Sequence, residues 1–154
     1  MYQGKLISIH ISPEATRPMQ SLILVNAIAG KGLEGDRYYR ATGTYSNKPD
    51  PARQVTLIEM ESIEALQSEH GIRILPGDTR RNLVTRDVAL NHLVGKEFKV
   101  GETLLRGIRL CEPCTHLESL TQEGVMSGLV HRGGLRAEIL SGGLIKVDDE
   151  VSEI

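Results

Sequence analysis

The sequence predicts a mainly β, barrel-like fold that carries a few short helices. Three observations predict it. Apolar residues fall in short runs of strand length, some with the period-two alternation of a half-buried strand. Turn signals separate these runs, supplied by 16 glycines and six prolines in 154 residues. Only one segment has a clear helical period, and no strand–helix–strand series accompanies it, so a doubly wound parallel sheet is not expected.

The elements follow in order. Over 5–11, Ile7, Ile9 and Ile11 alternate with Ser8 and His10, as in a half-buried strand. Residues 21–28 read as a second strand, apolar enough to be buried. From 30 to 51 the pattern dissolves into Gly30, Gly32, Gly35, Gly43 and a Ser-Asn-Lys-Pro-Asp-Pro run. Irregular loops longer than about 12–15 residues are commonly functional. The 40–51 part has almost nothing apolar to bury, which predicts the most mobile segment and a candidate lid.

Residues 53–58 read as a strand and 59–70 as the best helix, with Met60, Ile63 and Leu66 at spacing three, carboxylates in the first turn and Gly71 past its end. A turn over 75–78 and a short strand over 82–85 come next. Strands over 97–100 and 103–110 flank Gly101-Glu102 as a hairpin. Residues 113–120 suggest a short helix with Pro113 in its first turn. Strands over 135–140 and 144–147, joined through Gly142-Gly143, close the chain. Neither repeat nor linker is visible, so residues 1–154 are expected to form one domain.

Composition narrows the function. Eighteen basic against 20 acidic residues give a net charge of −2, too little for a global field that attracts nucleic acid or anionic lipid. Aromatics are 3%, with no Trp and one Phe, which leaves few platforms for stacking bases. The start MYQGKLISIH has no signal-peptide pattern, and the apolar stretch 22–29, broken by Asn26, is far shorter than a membrane helix. Two cysteines cannot build a disulfide scaffold. A soluble, cytoplasmic protein with reduced thiols is expected, without nucleic-acid or membrane partners.

Several motifs carry chemistry. Gly30, Gly32 and Gly35 spell a dinucleotide fingerprint, but no helix follows to hold a pyrophosphate, so a turn-rich loop is the better reading. Asp36-Arg37 can be a surface ion pair. Arg37, Arg53 and Arg81 each sit at a strand boundary, so they either converge at a barrel mouth as an anion site or stay solvated. Cys111-Glu112-Pro113-Cys114 follows a strand and opens a helix, where a thiol's pKa falls and the thiolate becomes a nucleophile and soft metal ligand. Its competing readings are a redox pair, a zinc site with His116 and His131, and two inert thiols; Leu117 argues against a zinc deaminase. His131-Arg132-Gly133-Gly134 places two donors before two glycines, a combination that can reach a phosphate.

In order and spacing these pieces resemble the MOSC domain, named for the C-terminal domain of molybdenum-cofactor sulfurase. The resemblance rests on Gly35-Asp36-Arg37, Arg53-Gln54-Val55-Thr56-Leu57-Ile58, Pro76-Gly77 and Arg81-Asn82-Leu83-Val84-Thr85. It continues through the Val94-Gly95 to Val100-Gly101 stretch, Pro113-Cys114, Arg132-Gly133-Gly134 and a Gly-Gly-x-Ile-x-x-x-Asp-x-Val ending. That ending departs from the family's usual form: Asp148-Asp149-Glu150-Val151 lacks the glycine before its aspartate.

The resemblance implies a mainly antiparallel β-barrel related to the pyruvate-kinase barrel domain, in a stand-alone, bacterial-type member. It implies a molybdopterin-type molybdenum cofactor, with Cys114 as catalytic residue and metal ligand. Arg37, Arg53, Arg81, Asn82, Thr85, His131 and Arg132 would be the cofactor-binding residues. Pyridoxal phosphate is not expected, because no lysine sits in a recognisable Schiff-base context. Three functions follow as expectations. The first is reduction of small N-hydroxylated substrates with an external electron-donor protein. The second is relay of a Cys114 persulfide from a sulfur-donor protein. The third is non-catalytic delivery of the cofactor. The oligomeric state is open.

Overall fold

The structure is a computed structural model that describes residues 3–14, 17–40 and 50–154. In chain order its strands are β1 (Gln3–Ile11), β2 (Gln20–Leu22), β3 (Leu24–Ile28), β4 (Gly32–Leu33), β5 (Val55–Glu59), β6 (Leu83–Arg86), β7 (Glu97–Val100), β8 (Thr103–Leu110), β9 (Leu135–Ser141), β10 (Gly143–Lys146) and β11 (Glu150–Glu153). Its α-helices are α1 (Arg37–Arg40), α2 (Met60–His70), α3 (Thr115–Leu120) and α4 (Val125–Gly128). The expected lid over 40–51 falls mostly on residues 41–49, which lie outside the described residues.

Seven strands close a barrel in the order β11–β7–β8–β9–β5–β6–β1, with β1 returning to β11. The mainly β class holds, but the barrel is mixed rather than antiparallel. β5 and β6 run parallel, with Leu57 beside Leu83. Here α2 carries the chain back along the wall, so β6 leaves in the same direction as β5; a hairpin cannot do this. The strand, helix and strand were each legible, but not their union into one βαβ unit.

β1 is long enough to serve two partners on one edge. Gln3–Lys5 positions pair with β11, and Ile9–Ile11 positions pair with β2. The strand expected over 21–28 is two strands. The break is at Ile23, which is 78% exposed; β2 joins the barrel and β3 joins a small sheet with β10 and β4. β11 follows a turn in which Asp148 takes φ 75, the left-handed region. Aspartate tolerates that region better than most residues, so it replaces the missing glycine. Asp149 Oδ2 accepts from Lys146 N at 2.8 Å and fixes the turn.

The interior and the outer wall are separate apolar clusters. Leu57, Leu83, Leu105 and Leu135 fill the barrel with Phe98 and Val151. Their strand neighbours Ile58 and Val84 point outward, where Ile63 and Leu66 of α2 pack with Leu117, Val125 and Leu129. That is why β5 shows no simple alternation: helices cover its outer side. α2 ends at Gly71, whose φ of 67 lets its N–H reach Gln67 O. No helix among the described residues is long and apolar enough to cross a membrane.

Leu57 is fully buried between β6 and β9. Leu57→Ala should cost about 2–5 kcal/mol by lost transfer energy plus a cavity. Urea unfolding measures this; a loss near zero would mean that the barrel interior is not packed as described.

Candidate functional site

The site is built around the turn that follows β8. Cys111 is 2% exposed, and its N–H donates to Gly134 O at 2.7 Å. Cys114 is exposed and sits at the cap position of α3 with extended backbone. The helix therefore starts at Thr115, two residues later than expected, with Pro113 outside its first turn.

One side chain fixes this turn. Arg81 is 8% exposed. Its Nε donates to Gly133 O at 2.7 Å, and its Nη2 donates to Cys111 O at 2.9 Å and Glu112 O at 3.4 Å. Nη1 donates to Thr79 O at 3.3 Å. A cation among carbonyl oxygens forms charge-assisted hydrogen bonds, so the cysteine turn, the 133–134 segment and the start of β6 are tied at one point. Gly133 is there because a Cβ would collide with Cys111 O and Pro113. Gly134 has φ 115, and a Cβ on it would run into Leu57 O. Close backbone approach thus accounts for both glycines.

His10, Thr56 and Asn82 alternate with interior residues and so lie on the outer face of the wall. His10 N–H donates to Asn82 O, Asn82 N–H to Thr56 O, and Thr56 is the register partner of Arg136, which faces Arg109. Asn82 is 1% exposed: Oδ1 accepts from Thr56 N at 3.0 Å and Nδ2 donates to His10 O at 3.0 Å. It staples three strands. Thr85 is fully buried on the same side of β6 as Leu83, and its hydroxyl has no partner among the described residues.

A basic group gathers beside this row. Asp36 is fully buried rather than in a surface ion pair, and Oδ1 accepts from Ser12 N at 2.9 Å. Burial pushes its carboxyl above the ordinary value, against the N–H donors and Arg37. This pins α1 to the end of β1. The Arg37 guanidinium lies 4.7 Å from the centre of the Tyr38 ring, and its Nη1 is buried without a partner among the described residues. Arg136 Nη1 donates to Ala52 O at 3.2 Å, beside Arg53, which pairs with Asp50 at 3.5 Å. Burial alone would lower the Arg136 pKa, but Cys111, Tyr38 and Asp50 outweigh it and raise it. Burial and then Arg37 lower that of Arg80, against Asp36 and Tyr38.

The other expected residues lie elsewhere. Arg132 reaches α2, where Nη1 meets Glu69 Oε2 at 2.7 Å. His131, in the left-handed region, is held by both oxygens of Glu112, through its N–H at 2.7 Å and Nδ1 at 2.7 Å. Among the described residues no three His, Cys, Asp or Glu side chains come together to hold a metal, so the zinc set of Cys111, Cys114, His116 and His131 is not formed. Sequence reasoning missed Tyr38 and Arg136. The signal for Arg136 was available: it stands alone as a cation between Leu135 and Ala137 in an alternating strand.

Fold and site together define a small closed mixed β-barrel with an exposed thiol and a basic cluster on its outer wall. The chain belongs to the MOSC domain family, whose model matches residues 29–152. Among solved structures it is similar to the YuaD protein of Bacillus subtilis, at 16% identity and a TM-score of 0.78, covering 98% of this chain and 97% of that one. It is also similar to YiiM of Geobacillus stearothermophilus, at 11% identity and a TM-score of 0.75, covering 98% of this chain and 75% of that one. YiiM of Escherichia coli matches at 16% identity and a TM-score of 0.68, with 97% and 69% covered. Comparison with curated protein sequences returns no match.

Two outcomes test this geometry. Arg81→Ala should cost about 3–5 kcal/mol, since it leaves several buried carbonyls unpaired. It should also open the buried Cys111 to alkylation; an unchanged urea midpoint with Cys111 still protected would contradict the clamp. Asp36 should make stability rise on acidification. Its folded pKa is raised, so the folded state holds the proton more tightly, and stability is lost as pH rises through that value. The unfolding free energy of the natural protein minus that of Asp36→Asn should therefore increase as pH falls, and level off below the unfolded carboxyl pKa of about 3.9. A flat difference would contradict a raised value.

Proposed function

We propose that this protein binds a molybdenum-pterin cofactor through Cys114 and acts with an external electron-donor protein in the reduction of small N-hydroxylated compounds. The observation that carries this reading is the buried Arg37 Nη1, which has no partner among the described residues. A buried guanidinium nitrogen without an acceptor is unfavourable, and a phosphate oxygen is its natural complement. The donor set agrees with the group. Cys114 is an exposed soft ligand, and soft sulfur suits molybdenum. When bound, the metal supplies the two-electron redox chemistry that the chain's own side chains lack.

The remaining residues divide into contact and positioning roles. Arg37 and Arg53, near Arg136, would hold the phosphate and polar edge of the pterin. Arg81 holds the cysteine turn at a fixed height over the wall, and Asn82 keeps the wall rigid beneath it. Glu112, through His131, braces the same turn from the other side. Thr85, His131 and Arg132 stand farther from the basic group and would act on the cofactor only through these supports. Relay of a persulfide by Cys114 is the second reading, and exposure of that thiol to a donor protein favours it. A cytoplasmic setting suits both, because it keeps the thiol reduced.

The test is molybdenum and pterin content, with intact mass, for protein purified from a molybdate-fed host. The natural chain should retain both. Cys114→Ser, which replaces a soft thiolate by a hard hydroxyl, should lose the metal with little change in melting temperature, whereas Cys111→Ser should keep a substantial part. Arg37→Ala should weaken cofactor binding by about 1.5–3 kcal/mol, the range for charge-assisted bonds. Protein without metal or pterin that carries one extra sulfur on Cys114 would replace the cofactor reading by the relay. Protein with neither would end both.

A further inference from the structure

One surface histidine has every polar group committed but one. His131 N–H donates to Glu112 Oε1 at 2.7 Å, its Nδ1 meets Glu112 Oε2 at 2.7 Å, and its carbonyl accepts from Asn91 Nδ2 at 2.8 Å. Nε2 has no partner among the described residues, on a side chain that is 76% exposed. Both oxygens of one carboxylate thus serve a single residue. Its backbone has φ 61, in the left-handed region that a residue with a Cβ adopts at a cost. A turn that needed only this backbone would be served by glycine. A brace would need only the N–H and Nδ1. Neither accounts for the open Nε2.

The chain path brings this residue level with Cys114. β8 and β9 run antiparallel and pair Leu110 with Leu135, and Cys111 N–H carries the ladder on to Gly134 O at 2.7 Å. A Cβ on Gly133 would meet Cys111 O, Pro113 N and Pro113 Cδ, so the two segments still touch there. The same count, carried on, sets Pro113 level with Arg132 and Cys114 level with His131. Cys114 is exposed with extended backbone, and Glu112, two residues before it, holds the ring. No three His, Cys, Asp or Glu side chains among the described residues converge as ligands of one ion. What links thiol and ring is therefore the water around two exposed groups.

Glu112 fixes what Nε2 can do. A carboxylate only accepts, so Nδ1 carries the hydrogen, and Nε2 of the neutral ring is a bare lone pair. A ring held this way by a carboxylate has the arrangement of a general base. The nearby charges have other partners. Arg132 turns to Glu69 of α2, and Glu118 of α3 accepts from Gly124 N and Met126 N at the start of α4. His116, exposed on α3, is the other titratable group close to Cys114 in the chain.

We propose that Glu112 and His131 form the proton acceptor of Cys114. The Sγ–H bond breaks and its electron pair stays on sulfur. The proton crosses a water to His131 Nε2, and Glu112 balances the imidazolium that forms. No electron changes hands. This rests on the reading above, because metal ligation and persulfide relay both start from the Cys114 thiolate. The experiment is the rate at which iodoacetamide alkylates Cys114, located by mass, in the full chain from a host grown without added molybdate. His131→Asn keeps a residue suited to the left-handed backbone and removes the base. Glu112→Gln keeps the shape, but its amide nitrogen donates to Nδ1, which moves the ring hydrogen to Nε2 and takes the lone pair away. At neutral pH each should slow alkylation about tenfold, since an unassisted thiol is only a few per cent thiolate; His116→Asn should not. At about pH 10, above the ordinary thiol value of about 8.5, hydroxide removes the proton unaided and all four proteins should react alike.

Equal rates at neutral pH, a loss that persists at high pH, or a loss on His116→Asn instead would overturn the proposal. The second would do so because a brace that only shapes the turn acts at every pH. Thermal melting checks that each variant is folded, and the two reach the same ring by different routes, so either alone decides. Molybdenum content and intact mass of the same chains from a molybdate-fed host keep the two readings apart. A slowed Cys114 in chains that never hold molybdenum or extra sulfur leaves the proton acceptor standing and removes the functional reading. Molybdenum retained through Cys114, with alkylation unmoved by either variant, does the reverse.

Discussion

The Arg81 guanidinium is the interaction on which the rest of the site depends. Four carbonyl oxygens from three chain segments converge on one planar cation. Carbonyl groups at the end of β8, in the 133–134 segment and at Thr79 have no strand partner to take them. Without the cation they would need water, and a buried turn admits little of it. The geometry is specific to arginine. A lysine ammonium is a point charge and cannot present three nitrogens to acceptors on different segments. The clamp also acts at a distance from its own position in sequence. It joins Thr79 to Gly133, so the cysteine turn cannot shift without moving the start of β6.

That start matters because β6 closes the one parallel step of the barrel. β5 and β6 share two cores, Leu57 and Leu83 inside, Ile58 and Val84 outside. Burial on both faces is the usual setting of parallel strands. α2 therefore does two things: it reverses the chain so that β6 can run parallel, and it supplies the apolar cover that the outer face then needs. Asn82 stands where this cover stops. Its side chain satisfies the backbone of Thr56 and His10 beyond the apolar cover, and polar chemistry begins there.

Much of this was legible in the sequence. The alternation in 5–11, the Gly101-Glu102 hairpin and the helix ending at Gly71 each have a local cause, and each appears where its local cause lies. The parallel pairing was not legible, because register between β5 and β6 is set by what α2 buries, and no residue of either strand reports it. The split at Ile23 was hidden for a similar reason: an apolar run continues through a point where the chain changes sheets. In the candidate site, Arg37, Arg53 and Cys114 were singled out from their positions at element boundaries. Arg81 was singled out as well, and its guanidinium meets carbonyl oxygens, an arrangement that spacing cannot tell from one that faces a ligand. The glycines of the 133–134 segment present the same ambiguity, and only the position of Leu57 O and Cys111 O resolves it.

Near-zero net charge and a local cluster of cations are compatible because the arginines differ in what surrounds them. Arg132 and Arg86 lie at the surface against Glu69 and Glu64 and add little field. Arg81 is enclosed by carbonyls. Burial and then Arg37 lower the Arg80 pKa, against Asp36 and Tyr38, while burial pushes the Asp36 carboxyl above its ordinary value. Holding cations close together costs stability in the free protein. An anion bound there removes that cost, so occupancy and folding stability are linked by mass action: whatever anion fits Arg37 also raises the unfolding temperature of the barrel.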